Sequence, residues 1–199
     1  MTVTQATRTN TKEELRAHAR RLFAKHGYEG VSMRDIAGSV GIRQSAIYNH
    51  FPSKQHLLVD LMLNHMKRLL EAMRGAVPAH GPPAERLTEF VRFHVTYHID
   101  QPDDVFLAYM ELRSLDADGR AAIVPLRDTY ENTLRAILDE GTTSGVFTVP
   151  ESNVVARGLL AMLTGVTVWF RDSGPLDRET VAAAYVDTAL QAVGCAPKH

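Results

Sequence analysis

Within seven residues the chain sets out Arg43, Gln44, Ser45, Tyr48 and Asn49. These side-chain types can read a nucleic acid. Gln and Asn bond adenine bidentately, Arg bonds guanine, and Ser and Tyr hydroxyls reach phosphates. Groups suited to other chemistry are sparse. His94 and His98 are spaced i, i+4 on one helix face, as a metal site requires, but HExxH is absent and Tyr97 stands where a Glu would be needed, so no metal is expected. The single cysteine, Cys195, excludes an internal disulfide and a multi-thiolate zinc site, and points to a reducing, cytoplasmic compartment. There is no GxSxG, no P-loop and no strand-borne GxGxxG. No catalytic residue and no cofactor is expected.

The elements that must position these groups read as helices. Thr11 to Glu14 fits a capping box, and Leu15, Ala19, Leu22, Phe23 and His26 then recur at helical spacing until Gly27. Ser32, with Asp35 three residues on, opens a short helix whose Met33, Ile36, Ala37 and Val40 face one way, and Gly41 closes it. A second short helix, 44–50, buries Ile47 and Phe51 and leaves the five groove-suited side chains outward. Pro52 breaks it, and Ser53 caps a longer helix to about residue 75. The pair has helix-turn-helix dimensions. Five further helices are predicted at about 84–100, 103–116, 119–141, 152–171 and 177–193, with Pro125 either kinking the third or marking its start. No segment alternates with period two, so the predicted fold class is all-α.

Charge divides the chain in the same place. Residues 1–55 carry nine Lys/Arg (Arg8, Lys12, Arg16, Arg20, Arg21, Lys25, Arg34, Arg43 and Lys54) against four acids, a net +5, while residues 56–199 carry −6. A basic head on an acidic body suits a part that meets a polyanion and a part that does not. At 199 residues, 45% hydrophobic and 23% charged, the chain is ordinary globular material. Its polar start, Met1 to Asn10, is no signal peptide, and its longest uncharged run, Gly158 to Phe170, falls short of a membrane span. The expected division is 1–55, linked through the helix 53–75, and 56–199.

The stretch Phe23-Ala-Lys-His-Gly-Tyr-Glu-Gly-Val-Ser-Met-Arg-Asp-Ile-Ala-Gly-Ser-Val-Gly-Ile, followed by Ile47-Tyr-Asn-His-Phe-Pro-Ser-Lys54 and Leu57-Leu58, resembles the N-terminal signature of the TetR family of bacterial transcriptional regulators. The resemblance covers about residues 12–60. It implies a three-helix DNA-binding domain with Gln44 to His50 as recognition helix, and a helical ligand-binding and dimerisation domain behind it. It also implies that Tyr48, His50 and Lys54 grip phosphates, Lys54 at a helix N-terminus, and that Arg34, Gln44, Ser45 and Asn49 lie nearest base edges, with Ser32 opening the motif. Two positions depart from the family pattern. Arg43 replaces a small capping residue, and Ser45 replaces a frequent Gly. Tyr48 packed within the head and His50 as a turn residue are the structural alternatives.

Aromatic residues are spread over the body helices, and in a plain bundle they are core. The resemblance implies instead a cavity for a small effector, with Phe93, Tyr97, Tyr109, Arg113, Tyr130 and Trp169 as candidate lining residues, while Glu111 and Arg113 are expected to form an internal ion pair. The helix 152–171 is apolar nearly all round, so one face must be buried beyond the chain's own core. With the last helix it would form a four-helix bundle in a homodimer, placing Arg157, Gly158, Gly165, Tyr185 and Ala189 at the interface. The segment Trp169-Phe-Arg-Asp-Ser-Gly-Pro-Leu176 resembles that of a TetR subgroup sensing fatty-acyl or steroid-derived CoA thioesters, so the effector is expected to be an acyl-CoA or another apolar ligand, with Arg113, Arg157 or Arg171 meeting a headgroup. The expected function is a ligand-responsive dimeric repressor on an inverted-repeat operator of double-stranded DNA, without a membrane partner. An all-helical enzyme or carrier with an incidental basic head, or a TetR-like activator, stands as the alternative.

Overall fold

Ten helices and one 3₁₀ turn account for the regular structure of the computed structural model, which describes residues 3–195, with side chains from residue 11. Arg8 and the rest of the polar start lie outside the described side chains. The helices are α1 (Val3–His26), α2 (Met33–Val40), α3 (Gln44–Ile47), α4 (Lys54–Ala76), α5 (Pro83–Asp100), α6 (Pro102–Met110), α7 (Ala117–Thr143), α8 (Ser152–Thr164), α9 (Val166–Trp169) and α10 (Arg178–Ala192); the 3₁₀ turn, Glu111–Ser114, follows α6. No strand occurs among the described residues.

The apolar spacing dictates these helices, and four details depart from it. No proline or glycine interrupts residues 3–10, and α1 starts at Val3, so Thr11 sits inside the helix and not at its N-terminus. Pro125 lies within α7 and costs one backbone rung without ending the helix. The helix predicted at 103–116 tightens after Met110 into the 3₁₀ turn. The helix predicted at 152–171 breaks at Gly165, which has αR dihedrals and donates to Ala161, giving α8 and α9.

The chain forms two compact units. The first comprises Met1–Met66 with Asp103–Val124, the second Lys67–Pro102 with Pro125–His199. In the first, Leu15, Ala19 and Phe23 of α1, Met33, Ile36 and Ala37 of α2, Ile47, Phe51, and Leu57, Leu58, Leu61 and Met62 of α4 form one core. Leu107, Leu115 and Ile123 belong to that same core. The unit therefore does not end at residue 55, where the basic segment ends: a helix-turn-helix of this size leaves apolar surface that α6 and the start of α7 bury. Gly41, at φ 77°, makes the turn between α2 and α3, and the Ile42 N–H returns to the Ala37 carbonyl at 3.0 Å.

In the second unit α5 packs against α10, α8 and α9. Phe90, Val91 and Val95 meet a core that includes Leu134, Ile137 and Leu138 of α7, Leu159 and Leu163 of α8, and Val181, Ala182, Val186 and Ala189 of α10. Ala189 is fully buried, which corrects its assignment to an interface: α10 turns its small residues inward at this position, and Ala184 and Thr188 occupy the exposed side. The stretch Ser152–Trp169 has the length and composition of a membrane span. It carries Arg157, which pairs with Glu131 at 2.9 Å, and it is interrupted at Gly165, as a helix seated on a protein surface can be.

Candidate nucleic-acid interface

Ser32 begins the site. Its hydroxyl accepts the Asp35 N–H at 3.2 Å, and its own N–H donates to the Asp35 carboxylate at 2.9 Å, a reciprocal cap that fixes the entry of α2. The Ser32 hydroxyl also donates to that carboxylate, and together these bonds hold the Asp35 carboxyl below the usual range. Ser32, expected among the DNA contacts, thus has its hydroxyl committed to the cap. Arg43 is the N-cap of α3 and makes no side-chain capping bond, because a guanidinium has no acceptor to offer. The guanidinium is exposed instead.

Only Gln44–Ile47 is α-helical in the expected recognition helix. Residues 48–50 continue as a tighter turn, with the Asn49 N–H on the Ala46 carbonyl at 3.2 Å and the His50 N–H on the Ile47 carbonyl at 3.0 Å. The cause is Phe51: it is pulled into the core one residue before Pro52, which cannot continue the ladder. Arg34, Gln44, Ser45, Tyr48 and Asn49 are exposed, Tyr48 at 45%, and His50 is half-buried. The exposed phenol rules out Tyr48 as a core residue of the head. A cleft of about 410 Å³ lies between the turn 29–33 and this segment, lined among others by Glu29, Ser32, Gln44, Tyr48 and Lys54.

The cations of the basic head have unequal duties. Arg16 makes two bonds to Asp60, at 2.7 and 2.8 Å, and also pairs with Glu13; Arg20 bonds buried Asp104 at 2.7 Å; Lys12 lies over the Phe51 ring. These charges hold the unit together. Lys54 lines the cleft, and Arg21, Lys25, Arg34 and Arg43 are exposed, so fewer cations are free for a polyanion than the sequence charge suggests.

Two residues of the site escaped the sequence. Tyr28, buried with its phenol pushed above its usual range by burial and then by Glu29, Asp116 and Glu111, holds Lys54: the lysine Nζ donates to the Tyr28 carbonyl at 2.9 Å. Glu111 in turn accepts the Tyr28 N–H at 2.9 Å. The expected Glu111–Arg113 ion pair does not form; the 3₁₀ turn sends Arg113 to solvent and Glu111 inward to Tyr28 and Ser114. No local signal reveals a partner 83 residues away.

The residues expected to line an effector cavity do not share one environment. Tyr109, 37% exposed, and Arg113 belong to the first unit; Phe93, Tyr97, Tyr130 and Trp169 belong to the second. Phe93 and Tyr97 are half-buried, their rings 5.3 Å apart. Tyr130 is buried, its hydroxyl 3.0 Å from His94 Nδ1, while His94 Nε2 lies 3.2 Å from the Thr164 hydroxyl. The His98 ring stacks on that of His94 at 3.7 Å, and its Nδ1 meets the His94 carbonyl, so the i, i+4 pair is built into a buried polar network. Trp169 is half-exposed and its indole N–H donates to the Tyr185 hydroxyl at 3.2 Å. A pocket of about 220 Å³ lies at the α5 end, lined by Ile99, Pro102, Thr167, Phe170, Arg171 and Asp172.

Comparison with known proteins places both halves of the chain. Residues 15–61 match the family model for bacterial regulatory proteins of the tetR family, and residues 80–193 match that for the tetracyclin repressor-like C-terminal domain. The HTH-type transcriptional repressor KstR2 of Mycobacterium tuberculosis is 27% identical over 182 residues, covering 89% of this chain and 90% of the relative. A crystal structure of a tetR-family regulatory protein from Rhodococcus RHA1 superposes with a TM-score of 0.88 at 30% identity, covering 94% of this chain and 98% of the other. The crystal structure of AibR in complex with isovaleryl coenzyme A and operator DNA superposes with a TM-score of 0.83 at 25% identity, covering 89% and 96%.

Proposed function

The chain belongs to the TetR family of DNA-binding transcriptional regulators, and we propose that it is a cytoplasmic homodimeric repressor that grips an inverted-repeat operator and releases it on binding an acyl-CoA effector. One observation carries the DNA-binding part: the cap at Ser32, the turn at Gly41 and the buried Ile47 and Phe51 leave Arg34, Arg43, Gln44, Tyr48 and Asn49 exposed, with Gln44 and Tyr48 lining a formed cleft together with Lys54. In this reading Gln44, Asn49 and the arginines face base edges, and Tyr48, His50 and Lys54 face phosphates.

The dimer is supported by the exposed apolar face of the second unit. Val154 is 66% exposed, Val168 74% and Trp169 49%, with Arg157, Gly158 and Ala161 exposed between them and Gly165 half-buried. Such a stripe on a helix calls for a partner. A second copy of the same face, completed by Tyr185 and the small residues of α10, gives a two-fold bundle, and the two heads then read two half-sites.

For the effector, AibR was solved with isovaleryl coenzyme A, which brings CoA thioesters into consideration for this relative. Arg171 is the cation best placed for a headgroup, since it is exposed at the 220 Å³ pocket, whereas Arg157 pairs with Glu131. An effector preferring the DNA-incompetent state about a hundredfold supplies ~2.7 kcal/mol, enough to empty most of the operator.

Selecting fragments from random double-stranded DNA with the purified protein at low salt tests the first claim, and an inverted repeat is the expected product. Recovery of no sequence above background removes the repressor reading. Titrating acyl-CoAs and the matching free acids into the protein–operator complex tests the second. Thioesters should release DNA and free acids should not; equal potency, or no release by either, refutes the CoA assignment and leaves the DNA claim standing.

A further inference from the structure

Lys54 does not float at the start of α4. Its Nζ donates to the Tyr28 carbonyl at 2.9 Å and rests 4.1 Å from the Tyr28 ring centroid. Tyr28 is itself fixed. Its ring tilts against Phe23 at 5.4 Å, and its backbone N–H, leaving the α1 ladder after left-handed Gly27 (φ 73°), donates to Glu111 Oε1 at 2.9 Å. The second Glu111 oxygen accepts the Ser114 hydroxyl at 2.6 Å, and the Ser114 carbonyl accepts Gln55 Nε2 at 2.8 Å. Gln55 is the neighbour of Lys54 in sequence, so the chain of contacts returns to its start.

Glu111 is only 5% exposed, and it accepts hydrogen bonds from two neutral donors, the Tyr28 N–H and the Ser114 hydroxyl. Neutral donors offset part of the cost of burying a carboxylate, not all of it. As a mere brace for a turn, Glu111 is therefore a costly choice. As a fixed acceptor it does something a greasy residue cannot: it anchors the backbone of Tyr28 through its N–H, and the carbonyl of the same residue, on the next peptide plane, accepts the lysine at the cleft.

We infer that Glu111 is a positioning residue for DNA binding: by holding the Tyr28 N–H it fixes the Lys54 ammonium against the groove, so that the segment 103–124 sets operator affinity from outside the helix-turn-helix. The inference rests on the proposal that Lys54 grips a phosphate. It gives Glu111 a role in binding that its distance from the recognition segment conceals.

Operator affinity of the full-length protein, measured across a series of salt concentrations, tests it. Lys54→Ala removes one phosphate contact from each head and should lower the slope of log K against log salt by about 1.8. Glu111→Ala should lower the slope by a similar amount, and in the double variant it should add less than about twofold to the loss caused by Lys54→Ala. Glu111→Gln keeps an acceptor for Tyr28 and should restore the wild-type slope. Ser114→Ala, a milder change that frees the second carboxylate oxygen, should give an intermediate slope and covers the case in which Glu111→Ala fails to fold. A Glu111→Ala loss that leaves the slope unchanged, or that multiplies fully with Lys54→Ala, overturns the inference while the phosphate role of Lys54 stands. An unchanged slope in Lys54→Ala overturns both.

Discussion

His94 offers a sharp test of how the second unit is held together. The side chain is fully buried, with Nδ1 against the Tyr130 hydroxyl, Nε2 against the Thr164 hydroxyl, and the His98 ring stacked upon it. Burial, and then repulsion from His98, holds its pKa well below 6.5 in the folded chain. In the unfolded chain it titrates near the ordinary value of about 6.5. Below that pH the unfolded state takes up a proton that the folded state refuses, so acid favours unfolding. Stability is fully present above about pH 6.5 and is lost as the pH falls toward the depressed folded value. For one such group the loss between pH 7.5 and 5.5 integrates to about 1.4 kcal/mol. His94→Gln keeps a donor and an acceptor but does not titrate. Urea unfolding at fixed protein concentration and three pH values should therefore show the wild type losing about 1.4 kcal/mol more than the variant over that interval. The histidines that do not face His94 are common to both proteins and cancel in the difference; His98, stacked on His94, is removed from the comparison by making it in a His98→Gln background. Identical pH dependence in the two proteins would refute the argument, since it would mean that His94 accepts a proton in the folded state.

Two further outcomes are expected. Arg43→Ser supplies the missing cap of α3 and should raise the urea midpoint of the first unit by the equivalent of about 0.5–1 kcal/mol while weakening operator binding through loss of a cation; a variant that is both less stable and unchanged in affinity contradicts the cap assignment. Val154→Asp places a charge in the exposed apolar stripe of α8 and should shift the sedimentation mass from twice 22.1 kDa toward the single chain; an undisturbed dimer locates the interface elsewhere.

Much of the fold was legible locally. Caps and breakers act over three or four residues, and the Ser32–Asp35 cap, the Gly41 turn and the buried Met33, Ile36 and Ala37 of α2 stand where their residue types require. Exposure of Gln44, Ser45, Tyr48 and Asn49 was legible for the same reason, since Ile47 and Phe51 consume the other side of the turn. What the tertiary structure decided lies between residues far apart in the chain. Whether a charge meets solvent or a partner depends on what is folded beside it, so Arg16 and Arg20 became internal braces and Arg34 and Arg43 did not. A helix's small residues do not announce which side the core will take, and Ala189 went inward. Tyr28, Glu111 and Lys54 have no periodicity to betray them. Only the packing of 107–123 against 15–62 within the first unit brings a carboxylate to the N–H of the residue whose carbonyl holds the lysine, because a hydrogen bond is set by a few ångströms of space and not by distance along the chain.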